Sequence, residues 1–290
     1  MISPFVRRLR LGNELKTLRL ARDLTLEKLA TQVDPTRQQM SRYELGHVPP
    51  DLDDIMQMLE ALGVGIDDPR WEEIMTIARE AAERGWWEGN SKAIGERQAL
   101  FANLEAGARR IRQYQQSFVP GLLQLPEFTR SRLEHSRWPQ PPGATTEGVL
   151  KGRAGRQRLM RRKGGPAYEV ILDEFAVRRR TAPAPIMRAQ FEHMAAVAAE
   201  ENSIEIRVLP LGAEVESYNL PVCSFQIYNY ADPKDPVVVG VESPTTDTVL
   251  TEADHVAGYL EMYEALRAAT LPIEDSQEFL RQAALALPSS

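Results

Sequence analysis

Residues 24–50 read LTLEKLATQVDPTRQQMSRYELGHVPP, and this stretch resolves into two short helices joined by a tight corner. At helical periodicity over residues 36–45, Arg37, Gln38, Ser41 and Arg42 fall on one side while Met40 and Tyr43 point to the other. Such a helix is equipped to lie in the major groove of DNA. There an arginine can take two acceptors of guanine and a glutamine can pair with adenine. Thr36 followed three positions later by Gln39 is a capping box, which starts the helix and leaves Arg37 and Gln38 in its first turn. That first turn is the part that reaches base edges in helix-turn-helix readers. Gly46 stands where a left-handed cap ends the helix, and Pro49 and Pro50 forbid its continuation. Thr25 caps the preceding helix, whose inner face carries Leu26, Leu29, Ala30 and Val33, and Pro35 separates the two. The expected DNA contacts are therefore Arg37, Gln38, Ser41 and Arg42, with Thr25 and Thr36 at the two helix starts.

Residues 11–64 resemble the Cro/repressor (XRE-type) helix-turn-helix family, carried by Leu29, Ala30, Ser41, Glu44 and Gly46 in that family's spacing. The resemblance implies that Arg19 of the first helix pairs with Glu44 at the end of the recognition helix. That is a structural ion pair and not a DNA contact. Where the family usually has glycine at the corner this chain has Asp34, which would have to take left-handed geometry at some cost.

The chain has 290 residues, enough for two domains of ordinary size, and 43% hydrophobic residues, enough to fold both. Its apolar runs fall short of a membrane span, and the opening MISPFVRRLRLGNEL lacks the apolar core of a signal peptide. With the single cysteine, Cys223, this points to a reducing cytoplasm. Strand-like neighbours make Cys223 a small buried hydrophobe. The net charge of −6 weighs against DNA binding until it is resolved along the chain: residues 1–50 hold nine basic and five acidic side chains, or +4, which leaves −10 for the rest. The patch facing the phosphates governs binding, not the total.

Beyond the corner, Leu52, Ile55, Met56, Leu59 and Leu62 predict a helix that closes an all-α domain at residues 1–66. A connecting helix over 70–84, ending in Trp86 and Trp87 as packing residues, and a linker at Gly89 occupy 67–95. The remainder, 96–290, reads as an α/β domain with a mixed sheet and packed helices. Leu100, Leu104, Ala108 and Ile111 form a helical stripe. YEVILDE at 168–174, a helix through Met187, Phe191 and Met194, and IEIRVLPL at 204–211 make a strand-helix-strand crossover with parallel strands. CSFQIYNY at 223–230 and VVVGVE at 237–242 flank a hairpin loop at 232–236, and a long helix from Thr251 carries Val256, Tyr259, Leu260, Tyr263 and Leu266.

No catalytic constellation emerges. His47, His135, His193 and His255 lack metal-ligand spacing, and there is no phosphate loop, HExxH motif or nucleophile elbow. Asp173 and Glu174 are adjacent on a strand and so point to opposite faces, which suits capping of the next helix better than shared chemistry. The expectation is no enzyme, no metal and no cofactor.

The second half resembles the regulatory region of WhiJ-type actinomycete regulators, on RIRQYQQSFVPGLLQLPEF, GRAGRQRLM, YEVILDEFAVRR and IRVLPL in that family's order. The resemblance implies a transcription factor, and such regulators often have a small partner protein. The run KGRAGRQRLMRRK at 151–163 has seven basic residues and no acid. Its arginines Arg153, Arg156, Arg158, Arg161 and Arg162 are candidate docking residues for a small acidic partner, with a solvated helix face or a second phosphate-contacting surface as the other readings. The whole reads as a homodimeric, sequence-specific regulator of double-stranded DNA whose C-terminal domain receives a protein or small-molecule signal. The alternative is an adaptor or antitoxin-like interaction protein.

Overall fold

The computed structural model describes residues 2–137, 143–243 and 245–288. It divides into two units, each described by itself. The first comprises residues up to Gly89 together with Phe101–Gly107 and Tyr230–Pro236, and the second holds the rest.

Five helices form most of the first unit: α1 (Pro4–Leu20), α2 (Leu26–Leu29), α3 (Arg37–Glu44), α4 (Leu52–Ala61) and α5 (Pro69–Ala82). Ser3, Thr25, Thr36, Asp51 and Asp68 each cap the following helix by accepting a backbone N–H, which satisfies a donor the helix cannot. Leu11, Leu15, Leu29, Met40, Tyr43, Ile55 and Leu59 pack into one core with Trp71, Ile74, Met75 and Ala78 of α5. The helix expected as a connector therefore belongs to the helical unit. Its apolar stripe had to be buried somewhere, and α1 and α4 supply the surface.

The second unit carries α6 (Ser91–Ile94), the opening of α7 (Glu96–Glu105), β1 (Ala108–Gln115), α8 (Pro126–Glu134), α9 (Thr146–Met160), β2 (Ala167–Asp173), α10 (Glu174–Arg178) and α11 (Ala184–Glu200). There follow β3 (Ile204–Leu209), β4 (Phe225–Tyr230), β5 (Val238–Val241), β6 (Thr248–Leu250), α12 (Ala253–Ala268) and α13 (Ile273–Leu285). The sheet is mixed, six-stranded and ordered β3-β2-β1-β4-β5-β6. β2 runs parallel to β1 and to β3, with Tyr168 opposite both Ile111 and Ile204, while β4 and β5 form the expected antiparallel hairpin. Tyr114, Ile171, Phe225, Ile227 and Val239 pack under Val256, Tyr263 and Leu266 of α12. The outer edge of β3 is occupied: Leu271 donates to the Val208 carbonyl (2.9 Å), and Val208 donates to Ser276 Oγ (3.0 Å).

Two expectations are corrected. Ala108 and Ile111 do not continue a helix from Leu100. Gly107 turns left-handed at φ 73°, and the chain then pairs with β2 as a strand. Ala108, Ile111 and Tyr114 are spaced three apart, as on a helix, and it is the ladder to β2 that makes 108–115 a strand. Cys223 is half-buried in a bend ahead of β4, and burial, with Glu242 nearby, pushes its thiol up. Among the described residues no helix is long and apolar enough to cross a membrane.

Candidate nucleic-acid interface

Helix α3 is held at both ends and along one side. Thr36 Oγ1 accepts the Gln39 N–H (3.2 Å), but the Gln39 side chain reaches forward to Asp54 (3.2 Å), so only half of the capping box forms. Tyr43 donates its hydroxyl to the same Asp54 carboxylate (2.6 Å), fastening α3 to the start of α4. At the far end Gly46 takes φ 67°, Gly46 N–H donates to the Tyr43 carbonyl (3.0 Å), and His47 N–H donates to the Arg42 carbonyl (2.9 Å). This is a Schellman cap, and its left-handed position favours a residue without a Cβ. Helix α1 crosses so close to this end that a Cβ on Gly12 would lie 2.4 Å from the Glu44 carbonyl oxygen.

The Arg19–Glu44 pair secures the same end. Arg19 Nε and Nη2 donate to the two Glu44 oxygens at 2.6 and 2.8 Å, and Nη1 donates to the Leu24 carbonyl at 2.8 Å. The pair is buried, and hydrogen bonding to Glu44 holds the guanidinium charge more firmly, raising its pKa. At the corner Asp34 is not left-handed; among the described residues the non-glycine positions with positive φ are Asp23 and Tyr218. Asp34 instead exchanges two hydrogen bonds with Gln57 of α4, at 2.9 and 3.1 Å, so a side-chain clasp does the work expected of a strained backbone.

With that frame fixed, Arg37, Gln38 and Arg42 are exposed, Ser41 is half-buried beside them, and Met40 and Tyr43 are in the core. Thr25 and Thr36 are exposed caps whose hydroxyls accept helix N–H groups; the Thr36 O–H is left to donate outward, while the Thr25 O–H turns to the Glu27 carboxylate. Arg37 is engaged by a partner that periodicity could not reveal: its Nε donates to Glu27 of α2.

The basic N-terminal head is largely spent inside the first unit. Arg7 meets Glu80 (2.9 Å), Asp232 (3.1 Å) and Asp235 (3.0 Å). Arg8 donates to the carbonyls of Ala81 and Glu83 (each 2.9 Å) and to Glu88, and Arg10 meets Asp232 (2.6 Å) and Glu73 (3.1 Å). All three are buried, as is Arg19. The cations of residues 1–50 that remain exposed are Lys16, Arg22, Lys28, Arg37 and Arg42. Counting charge along the sequence overstated what can face phosphates.

A helix-turn-helix domain family matches residues 10–71, the span of this helical frame. A family described as a domain of unknown function (DUF5753) matches residues 98–282, more than half of the chain. The chain belongs to the DUF5753 family. Neither a curated protein nor a solved structure matches it.

The candidate docking arginines lie on and just after α9 of the DUF5753 region, and the structure does not bring all five to the surface. Arg156 is only 4% exposed and donates to Gln98. Arg153 is half-buried and donates to Gln124 and to Thr129 (2.7 Å). Both turn inward because other elements offer buried polar partners, and a solvated or docking role for them is corrected. Arg158 is exposed, Arg161 is exposed and paired with Glu201 (2.9 Å), and half-buried Arg162 donates to the Leu159 carbonyl (3.0 Å). Asp173 caps α10 by accepting the Phe175 N–H (2.9 Å) and also accepts the Tyr114 hydroxyl (3.0 Å).

Proposed function

We propose that this protein is a sequence-specific regulator that reads double-stranded DNA with α3, an XRE-type reader joined to a WhiJ-like regulatory region. The observation that carries this is the outward row Arg37, Gln38 and Arg42 on a short helix capped and clasped on every other side, within a chain that carries a helix-turn-helix domain. Arg37 and Arg42 each serve as a fork for guanine, Gln38 suits adenine, and Ser41 supports them, while the Thr36 hydroxyl reaches a phosphate and Thr25 lies beside the DNA with its hydroxyl turned to Glu27. One such helix reads few base pairs, so the protein works as a homodimer on half-sites about one helical turn apart. The DUF5753 region is a non-catalytic receiver of a protein or small-molecule signal. Exposed Arg158 and Arg161, with Arg162 and the neighbouring Lys151 and Lys163, form the part that docks a small acidic protein in the cytoplasm.

The test is selection of a randomised duplex library by the full-length protein, followed by titration of the recovered sequence. The expected result is an inverted repeat. Arg37→Ala or Arg42→Ala should weaken specific binding roughly tenfold or more, since one good bidentate contact discriminates by about 1–3 kcal/mol. Recovery of no motif, or normal affinity and base preference in both variants, would overturn the reading.

A further inference from the structure

Glu27 is the one acidic residue that pairs with the outward row of α3 among the described contacts, and it does so across the corner, from α2. Its carboxylate is anchored by its own backbone N–H and by the Thr25 hydroxyl, which together with Arg37 hold it below the usual carboxylate range. It takes Arg37 by Nε. The terminal nitrogens Nη1 and Nη2 of Arg37 have no protein partner among the described residues. An arginine held this way presents its two terminal N–H groups as a forward fork, the geometry that matches O6 and N7 of a guanine. An unanchored arginine would lose considerable rotamer freedom on making the same contact.

The charge of Glu27 has a second consequence. Both side chains stand about three-fifths exposed, at 62% and 61%, so this is not a buried staple holding α2 to α3. An exposed carboxylate on the reading surface offsets the attraction of Arg37 for phosphate, which is the part of binding that carries no sequence information.

Resting on the DNA-reading function above, we propose that Glu27 is a positioning residue for specificity: it holds Arg37 so that its terminal fork addresses one guanine, and its charge suppresses sequence-independent binding.

The two parts of this role separate in two variants of the full-length protein. Glu27→Gln keeps an oxygen that can accept from Nε and removes the charge; Glu27→Ala removes both. In a selection from a randomised duplex library, Arg37→Ala identifies the guanine that Arg37 reads in the wild-type motif. Glu27→Ala should relax preference at that base alone, by roughly three- to tenfold, and bind a scrambled duplex more tightly. Glu27→Gln should retain the guanine preference while also binding the scrambled duplex more tightly. All three variants should melt close to the wild type. A uniform fall in affinity with an unchanged motif, or a large drop in melting temperature, would show a structural role and sink the assignment. If the wild-type protein itself selects no motif, the DNA-reading function fails first and takes this inference with it.

Discussion

At the scale of single residues the decisive chemistry is how arginines are partnered. Arg19 meets both oxygens of Glu44 in a buried pair, whereas Arg37 meets Glu27 in an exposed one. The same two residue types thus serve opposite ends. A buried pair that loses one member leaves a charge without solvent or partner, which typically costs about 3–5 kcal/mol. Glu44→Ala should therefore lower the melting temperature sharply and abolish DNA binding by unfolding the reader, as thermal circular dichroism would record. A Glu44→Ala protein that melts normally would mean the pair contributes little. The pairing was legible beforehand only through the family resemblance. Glu27 was not legible at all, because an exposed acid ten positions before an arginine carries no periodic signal.

Among the elements, the loop between β4 and β5 has the least expected placement. Its turn chemistry, DPKDP, marks a hairpin, and the antiparallel register agrees. What its composition conceals is that Tyr230–Pro236 belongs to the helical unit, where Asp232 and Asp235 meet Arg7 and Arg10 of α1. The Lys234 backbone N–H, followed by the side chains of Arg10 and Arg7, holds the Asp232 carboxyl down at about 2, against an ordinary 3.8. A carboxyl depressed on folding stabilises the fold above its unfolded value and loses that contribution as pH falls through the folded one. The contribution of Asp232 is thus complete above about pH 4 and lost towards pH 2. Asp235 runs the other way, since burial pushes its carboxyl up despite Arg7 and Arg10, and its protonation offsets part of the loss. Asp232→Asn should melt below the wild type at pH 5, and the gap should close by pH 2. A gap independent of pH would show that the ionised carboxylate is not what matters.

For the molecule as a whole, net charge is a poor guide to the force it exerts on DNA. Nine basic residues precede position 51, yet Arg7, Arg8, Arg10 and Arg19 are buried in internal pairs. Five exposed cations remain in residues 1–50. Each neutralised phosphate contributes about −0.9 to the slope of log affinity against log salt, so with these five making the phosphate contacts the slope per reader should be about −4.5. Fluorescence anisotropy over a range of salt concentrations measures it directly. A slope near −8 per reader would mean that the N-terminal arginines leave their partners for DNA. The units follow the same logic as the charges. α5 lies outside the expected 1–66 domain but completes its core with Trp71, Ile74 and Met75, because a helix with an apolar stripe joins whichever surface buries it.

The recognition helix, its caps at Thr36 and Gly46, the parallel crossover from β2 to β3 and the β4–β5 hairpin were all determined by sequence. Each rests on interactions a few residues apart or on a simple period, and such signals survive without knowledge of the rest of the chain. Tertiary structure alone decided that 108–115 is a strand, that Asp34 is clasped by Gln57, that Arg156 turns inward, and that a loop beyond residue 229 closes over α1. In every one of these the deciding partner is distant in sequence. A strand's ladder, a clasp or a buried ion pair acquires its energy only when folding brings the second group within hydrogen-bonding distance.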